Sequence, residues 1–229
     1  MRRKTLSPRW PNADAAACMA DLVDLLRATV RIATLAPSSW YRVHGAALNG
    51  TSFNPSPWSN ARFSTLKRAD GTVVPVLYAA DTVEGALMET VFHEAPTPSA
   101  GAHLRRSEIA DKNLVLSEIR TTTPLQVIDL TSTGLRRVGL TRPQVVDTDA
   151  TAYPTTQALA RHLYSACPTV CGIQWMSRQL DRSRAVMLFA DRVLPGSITL
   201  AAPSRSVLDS EVEEQILDLV EALGMRLLS

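Results

Sequence analysis

The spacing of hydrophobic residues predicts a helix near each end of the chain. Between residues 14 and 35, apolar residues recur every three or four positions, as on one face of an amphipathic helix, and Pro37 then ends the pattern. A second amphipathic helix begins at Ser210, which forms a capping-box pattern with Glu213, and ends before Gly224. We expect both helices to bury one apolar face against the rest of the protein.

The middle of the chain alternates short apolar runs with turn-forming residues, which is typical of β-strands. The predicted strands cover residues 73–80, 114–119, 125–130, 170–176, 185–190 and 197–201. Helices are predicted after Asp81, where Glu84 completes a capping-box pattern, and over residues 155–166. The first of these helices extends to about Glu94, before Pro96. Because strands and helices are mixed without strict βαβ alternation, the sequence predicts an α+β fold.

Residues 49–70 are rich in Asn, Ser, Gly and Pro and predict a long ordered loop or short irregular strands. A loop of this length inside a compact domain is more often functional than idle. The chain has no linker that would split it. We therefore expect a core domain over residues 40–203, an N-terminal helical extension over residues 1–39, and a C-terminal helix over residues 204–229 that packs on the core.

Composition and charge narrow the class of protein. The chain has 229 residues, of which 45% are hydrophobic and 20% are charged, so it can bury a core without disulfides or a structural metal. The net charge of +2 gives no general attraction to nucleic acid or to anionic membranes. A nucleic-acid-binding regulator is therefore disfavoured, since such proteins usually concentrate positive charge on one face.

The cysteines and the first residues of the chain bear on the cellular compartment. Cys18, Cys167 and Cys171 are too few for a disulfide framework and fit a reducing environment. The first residues are basic and then apolar, as in a signal peptide, but Asp14 and Asp21 interrupt the candidate apolar core. The sequence contains no run of 18 apolar residues that could span a membrane. These features predict a cytoplasmic protein that does not bind membranes.

Several common catalytic motifs are absent from the sequence. It has neither a glycine-rich phosphate-binding loop nor a G-x-S-x-G nucleophile motif. Its four histidines are not at metal-ligand spacing, and Cys167 and Cys171 lack the second pair that would complete a zinc site. We expect no bound metal, and we interpret these two cysteines as small buried apolar residues.

Five polar residues occupy unusual positions on or beside apolar elements. Arg42 lies in a short extended apolar segment, Arg62 in the Ser/Asn-rich loop, and Tyr78 near the end of a predicted strand. Glu89 lies among apolar residues of the first mid-chain helix, and Ser177 closes another predicted strand. A half-buried carboxylate such as Glu89 either pairs with an arginine, here Arg42 or Arg62, or lies in a functional site. Taken singly, a tyrosine such as Tyr78 in a strand is more often a core residue, and a serine such as Ser177 at a strand end is more often a cap or turn residue.

Taken in order along the chain, these residues resemble the RES domain, a family named for its Arg, Glu and Ser. The segments that carry the resemblance are Tyr41-Arg42, Arg62-Phe63, Val76-Leu77-Tyr78-Ala79, Ala86-Leu87-Met88-Glu89, Gly172-Ile173-Gln174-Trp175-Met176-Ser177 and Met187-Leu188-Phe189. The resemblance extends over about residues 40–192. The chain departs from the family around Arg62, where it reads Asn60-Ala61-Arg62-Phe63-Ser64 instead of a Gly-Gly-Arg-Trp-Asn-like stretch, and residues 67–71 lengthen the segment that follows.

The resemblance implies an ADP-ribosyltransferase-like fold and an enzyme that consumes NAD+. It assigns catalysis to Glu89, Arg42 and Ser177, and NAD+ binding to Arg42, Arg62, Tyr78 and Ser177. In this assignment the two arginines bind the diphosphate. Glu89 opposes the positive charge that develops on the ribose, Tyr78 packs on the nicotinamide, and Ser177 hydrogen-bonds the ribose or the carboxamide.

Members of this family are typically toxins of bacterial toxin–antitoxin pairs, so the resemblance also implies growth inhibition and an Xre-like antitoxin as partner. The acceptor of ADP-ribose stays open. A cellular protein as acceptor, which the extra terminal segments favour, makes the chain a mono-ADP-ribosyltransferase, whereas water or phosphate makes it an NAD+ glycohydrolase or phosphorylase. A non-catalytic protein-interaction domain is the alternative from a different functional class.

Overall fold

A mixed β-sheet forms the centre of the protein. The structure is a computed structural model that describes residues 24, 26–93 and 102–228. Within this part of the chain, nine strands join in one sheet and two more form a small parallel pair. The strands are β1 (Ile32–Leu35), β2 (Ser39–Gly45), β3 (Val76–Ala80), β4 (His103–Arg105), β5 (Leu114–Thr121), β6 (Leu125–Asp129), β7 (Gly172–Met176), β8 (Arg184–Phe189), β9 (Ile198–Leu200), β10 (Arg205–Ser206) and β11 (Arg226–Leu228).

Helices flank this sheet. Those with named bounds are α1 (Val83–Met88), α2 (Arg106–Asp111), α3 (Ser132–Arg137), α4 (Arg142–Val145), α5 (Tyr153–Ala166) and α6 (Ser210–Ala222). Helices α3 to α5 lie between β6 and β7 in the chain and supply the long crossover that this parallel strand pair requires. None of the described helices is long and apolar enough to cross a membrane.

The sheet is open near its middle, between β2 and β3. The order is β1-β6-β7-β8-β3-β2-β5-β10, with β9 also paired to β5. Strand β2 follows β5 in register from Ser39 to Gly45, and β3 follows β8 along its whole length. Between β2 and β3, in contrast, the pair Tyr41 and Ala80 makes up the register. The two strands therefore diverge beyond this pair and leave a cleft between two halves of the sheet.

Three hydrophobic clusters fix the elements around this cleft. The largest joins α5 to β7 and β8 and includes Phe63, from the loop before β3, and Trp175. A second cluster packs α6 against α1, with Ile216 of α6 and Leu87 of α1 fully buried. The third lies around β3 and β8 and contains Leu77. Helix α1 and the loop before β3 are thus both held by buried apolar side chains, which stabilise a domain by about 1.5–3 kcal/mol for each large residue that is fully buried.

The α+β prediction is confirmed, since the protein has a mixed sheet with flanking helices. The predicted helix over residues 14–35 is wrong over residues 30–35, because residues 30 and 31 are not helical and residues 32–35 form β1, which pairs with β6. Residues 24 and 26–29 are helical, and residues 14–23 and 25 of this prediction lie outside the described residues. The backbone hydrogen bonds to β6 decide the strand, and a local hydrophobic pattern does not reveal them.

The cap predicted for the first mid-chain helix is also wrong. Thr82, not Asp81, is the N-cap of α1, because its hydroxyl accepts a hydrogen bond from the amide of Gly85 (3.0 Å). The Asp81 carboxylate instead accepts hydrogen bonds from the Ser183 hydroxyl and the Arg184 amide at the start of β8. Helix α1 ends at Met88, so Glu89 is its C-cap and not an interior residue. Glu94 and Pro96, the expected end of this helix, lie outside the described residues.

The capping box predicted for the C-terminal helix is wrong for a similar reason. Helix α6 begins at Ser210, but its N-cap is Asp209, and no side-chain hydrogen bond caps the helix. Glu213, expected to complete the box, forms an ion pair with Arg106 of α2 instead (2.6 Å). The side chain of Glu213, which the local sequence pattern assigned to the cap, therefore makes a tertiary contact instead.

Candidate functional site

A cavity of about 270 Å³ lies in the cleft between β2 and β3. Four of the five residues predicted from the sequence line it, namely Arg42, Arg62, Tyr78 and Glu89. They come from β2, the loop before β3, β3 itself and the end of α1, so 47 positions separate the first from the last. Much of the remaining wall consists of alanine side chains and Trp175. The cavity therefore combines charged groups with an apolar lining, as ligand sites usually do.

Glu89 is placed in the cavity by the close packing of α1. The helix approaches the turn before β8 at Gly85, where a Cβ atom would lie 2.0 Å from the Ser183 hydroxyl. Glu89 then terminates the helix, with its amide bonded to the Gly85 carbonyl (3.0 Å). Its side chain is half-buried, and the Oε1 atom is buried without a hydrogen-bond partner. Glu89 forms no ion pair within the described part of the chain, so one of its oxygens keeps unused capacity to accept hydrogen bonds.

Arg62 lies in the loop before β3, which α5 holds against the sheet. The neighbouring Phe63 is fully buried and packs edge-to-face on Trp175, with ring centroids 5.0 Å apart. On the other side of the loop, the Thr156 hydroxyl donates a hydrogen bond to the carbonyl of Arg62 (2.5 Å). The Arg62 guanidinium donates through Nη1 to the carbonyl (3.2 Å) and hydroxyl (2.6 Å) of Thr148. The position of Arg62 is thus determined by the burial of Phe63, by α5 and by the hydrogen bonds of its guanidinium to Thr148.

Burial and nearby charges act in opposite directions on Arg62. Burial lowers the pKa of its guanidinium, and the positive charge of Arg178 lowers it further. Tyr153, Glu89 and Asp147 act in the opposite sense and raise this pKa. The negative charge of Glu89 thus acts on Arg62 across the cavity, although the two side chains are not within ion-pair distance.

Arg42 is buried on β2 and is partly committed to the protein. Its Nη1 atom donates to the carbonyls of Gly50 (2.9 Å) and Ser52 (2.7 Å), which anchors the start of the long loop. Its Nε atom is buried with no hydrogen-bond partner. Burial lowers the pKa of Arg42 to about 10, so the side chain remains charged at neutral pH.

Tyr78 supplies an aromatic wall. Its hydroxyl shares a hydrogen bond with the Ser64 hydroxyl (3.0 Å), and its ring packs edge-to-face on Trp175 at 6.1 Å. Burial raises the pKa of the phenol above its usual value, and the hydrogen bonds with Ser64 and with the backbone of Phe63 lower it by smaller amounts. Tyr78 is therefore neutral across the physiological range and presents an uncharged ring to the cavity.

Ser177 is the predicted residue that the structure does not bring to the cavity lining. It is fully buried, and its hydroxyl accepts hydrogen bonds from the amides of Gln179 (3.0 Å) and Leu180 (3.1 Å). Its carbonyl accepts a hydrogen bond from Arg142 (2.7 Å). Ser177 thus organises the turn between β7 and β8, which is the turn role that the sequence left open.

The structure adds a histidine that sequence reasoning did not assign to the site. His93 lines the cavity, its Nε2 atom lies 3.3 Å from the Tyr153 hydroxyl, and its Nδ1 atom is buried without a partner. The signal available in the sequence was its position four residues after Glu89, which places both on one helical face. The helix ends before either residue, but the following turn keeps both at the cavity.

The described residues of the cavity can bind a ligand that carries both negative charge and hydroxyl donors. Arg42 and Arg62 supply positive charge, and Glu89 supplies an acceptor. The apolar wall around Tyr78 accommodates a flat ring. Among the described residues, no group of three or more His, Cys, Asp or Glu side chains is placed to hold a metal ion.

Comparison with known proteins gives a family and a fold. The family model of the RES domain matches residues 39–207 of the chain. Among solved structures, the chain resembles one described as the crystal structure of the M. tuberculosis MbcT–MbcA toxin–antitoxin complex, with a TM-score of 0.60 and 19% sequence identity. The similarity covers 85% of this chain and 96% of the other, and it shows a shared fold. A search among curated proteins found no match.

Proposed function

Because the chain belongs to the RES domain family, we propose that its cavity binds NAD+ and cleaves the bond between nicotinamide and ribose. One observation carries the proposal. Residues that are far apart in the sequence, a carboxylate (Glu89), two guanidinium groups (Arg42 and Arg62) and a phenol (Tyr78), line one cavity between β2 and β3. These groups match the charges and the aromatic ring of a dinucleotide.

The proposed reaction breaks the C1′–N bond of the nicotinamide riboside half. The bonding electron pair leaves with the pyridinium nitrogen, so nicotinamide departs as a neutral base and C1′ of the ribose acquires positive charge. A nucleophile then adds to C1′ and loses a proton. This oxocarbenium-like transition state resembles that of glycoside hydrolysis, in which carboxylates oppose the charge on the sugar. Glu89 takes this role and accepts hydrogen bonds from the ribose hydroxyls.

The other residues hold the substrate around this carboxylate. Arg42 and Arg62 provide the positive charge for the diphosphate, for which guanidinium groups are well suited. Tyr78 and Trp175 form the aromatic wall beside the nicotinamide. Ser177 acts indirectly, because its hydroxyl holds the turn between β7 and β8 and not the substrate.

Replacement of Glu89 by Gln tests the reaction. We expect Glu89→Gln to lower the rate of NAD+ consumption by about 10²–10³-fold, the usual effect of removing one group that stabilises transition-state charge. The measurement is release of nicotinamide by purified protein. Glu84→Gln is the matched control, because Glu84 lies one turn earlier on the same helix and does not line the cavity. Folded Glu89→Gln protein that consumed NAD+ at the wild-type rate would remove Glu89 from the mechanism.

For the acceptor of ADP-ribose, we propose a cellular protein, which makes the chain a mono-ADP-ribosyltransferase. Support comes from the surface that α6 and β11 add outside residues 39–207, the range of the family model. The purified enzyme and isotopically labelled NAD+ are incubated with cell lysate, and labelled proteins are identified by mass spectrometry. If the label appears in free ADP-ribose or ADP-ribose 1″-phosphate and in no protein, the acceptor is water or phosphate.

For the biological role, we propose a toxin that is held inactive by an Xre-like antitoxin. The solved structure with a similar fold is described as a toxin–antitoxin complex, which supports a partner of this kind. Expression of the chain alone is expected to arrest growth while cellular NAD+ falls, and co-expression of the antitoxin to restore both. Growth arrest without NAD+ loss, and without labelled protein, favours a non-catalytic interaction domain.

A further inference from the structure

We propose that Arg178, a residue outside the cavity lining, binds the substrate diphosphate together with Arg62. The inference rests on the proposed function for the identity of the anion. Arg178 follows Ser177 in the turn between β7 and β8, on a different segment from Arg62. Its role as a second guanidinium donor follows from the position of its side chain relative to that of Arg62.

Arg62 and Arg178 converge on one backbone carbonyl. The Nη1 atoms of Arg62 and Arg178 lie 3.2 Å and 2.7 Å from the carbonyl oxygen of Thr148. The two nitrogens are therefore within about 6 Å of each other, a distance at which like charges disfavour one another. This effect is visible at Arg62, whose pKa is lowered first by burial and then also by Arg178.

Neither guanidinium group is neutralised by an ion pair within the described part of the chain. Glu89 raises the pKa of Arg62 but forms no ion pair with it within the described part of the chain. Two further carboxylates lie near enough to affect the pair, but each is engaged elsewhere. Asp147 forms an ion pair with Arg142 (3.0 Å), and the Asp149 carboxylate accepts hydrogen bonds from the amide and hydroxyl of Thr151. An anion that bridges the two guanidinium groups would remove their repulsion and add charge-assisted hydrogen bonds.

The positions of the two side chains suit a ligand that extends out of the cavity. Arg62 is buried and lines the cavity, whereas Arg178 is exposed. The cavity of about 270 Å³ accommodates only part of a dinucleotide. The diphosphate, which lies between the two nucleoside halves, would therefore sit where the buried and the exposed guanidinium groups meet.

Arg42 is less suited to act as the partner of Arg62. Its Nη1 atom is committed to the carbonyls of Gly50 and Ser52. The positive charge of Arg178, in contrast, acts on the pKa of Arg62. Arg178 therefore adds a guanidinium donor beside Arg62, in addition to Arg42.

The test measures binding of ADP-ribose, which has the diphosphate but no bond to cleave. Calorimetric titration compares wild-type protein with Arg178→Gln and with Arg182→Gln, an exposed arginine of the same turn. We expect Arg178→Gln to raise the dissociation constant about tenfold, and Arg182→Gln to change it less than twofold. Arg178→Lys keeps the charge without the planar fork and should lie between wild type and Arg178→Gln.

A substrate comparison separates diphosphate binding from a structural role. In Arg178→Gln, KM for NAD+ should rise about tenfold with kcat nearly unchanged, while cleavage of nicotinamide riboside, which has no phosphate, should equal that of wild type. Equal losses with both substrates, or unchanged ADP-ribose binding by Arg178→Gln, would overturn the assignment. Wild-type protein that bound ADP-ribose through Arg178 without consuming NAD+ would support the assignment and contradict the proposed reaction instead.

Discussion

Burial shifts the pKa of several single residues around the cavity. It raises the pKa of the Tyr78 phenol and lowers the pKa of Arg42 to about 10, but neither shift changes the protonation state at neutral pH. Burial also acts on His44, which lies near Arg42 on β2 and whose ordinary pKa of 6.5 is close to neutral pH. Burial and the positive charge of Arg42 lower the pKa of His44. A buried neutral histidine must gain a proton when the protein unfolds in acid.

Hydrogen bonds define the tautomer of neutral His44 in the folded protein. The Gly45 carbonyl can only accept, so the Nδ1 atom of His44 carries the proton and donates it (3.0 Å). The Nε2 atom then accepts from the Ser117 hydroxyl (2.8 Å), whose oxygen in turn accepts from the Ser204 hydroxyl (2.6 Å). Protonation of Nε2 would reverse this chain, because the Ser117 hydroxyl would then accept from His44 and donate to Ser204.

The stability of the protein should therefore depend on His44 in mild acid. Because the folded-state pKa is lower than the unfolded value of 6.5, the contribution of neutral His44 is present above pH 6.5 and is lost as the pH falls through the folded pKa. We expect the free energy of unfolding to fall by up to about 1.4 kcal/mol per pH unit from this residue. Denaturant unfolding between pH 7.5 and 5 measures it. His44→Gln should show a shallower slope, and parallel curves would contradict the assignment.

At the scale of elements, helix α1 positions Glu89 because it packs closely on the turn before β8. The closest approach is at Gly85, where an added Cβ atom would meet both the Oγ (2.0 Å) and the Cβ (2.8 Å) of Ser183. Ser183 cannot easily move, since its hydroxyl donates to Asp81 (2.9 Å). The absence of a Cβ atom at Gly85 thus allows the close packing of α1 that places Glu89 at the cavity.

Gly85→Ala should consequently destabilise the protein and impair the cavity together. We expect a loss of about 1–3 kcal/mol from overpacking, which outweighs the gain of up to about 1 kcal/mol that alanine brings to a helix. NAD+ consumption should fall as well, because Glu89 ends the displaced helix. The control is Gly45→Ala, since nothing lies within 4 Å of the Cβ position at Gly45. In Gly85→Ala/Ser183→Gly, the loss should be smaller than the sum of the single changes, and additive losses would argue against this contact.

At the scale of the whole molecule, the cavity lies between two halves of the sheet that share little backbone pairing across β2 and β3. A ligand in this cleft contacts both halves at once. Binding to the folded state alone should therefore stabilise the entire domain.

ADP-ribose should raise the melting temperature of the protein. At a ligand concentration 100 times the dissociation constant, the gain is about 2.7 kcal/mol. For a chain of this size, this corresponds to an increase of roughly 5–10 °C in Tm. Differential scanning calorimetry measures the shift, with adenosine, which lacks the diphosphate, as the control ligand. No shift with ADP-ribose or NAD+ at millimolar concentration would favour the protein-interaction domain over an NAD+-consuming enzyme.

The sequence by itself determined those elements whose signal is local. The α+β class, helix α5 and the central strands β3, β5, β6, β7 and β8 follow from apolar periodicity, because a buried strand or helix face must be apolar wherever it packs. The residue types of the cavity were also visible in the sequence, since a charged residue such as Glu89 within an apolar segment stands out without knowledge of its neighbours.

The tertiary structure decided what depends on partners distant in the chain. Residues 32–35 became β1 because β6 offers backbone hydrogen bonds, and Asp81 lost its cap role to a contact with β8. The hydroxyl of Ser177 accepts hydrogen bonds from the amides of Gln179 and Leu180, and the Arg62 and Arg178 side chains donate to the same carbonyl. Hydrophobic periodicity indicates which face of an element is buried. It does not indicate which groups of other elements contact that face, because strand order and the path of the loops determine the distances between elements.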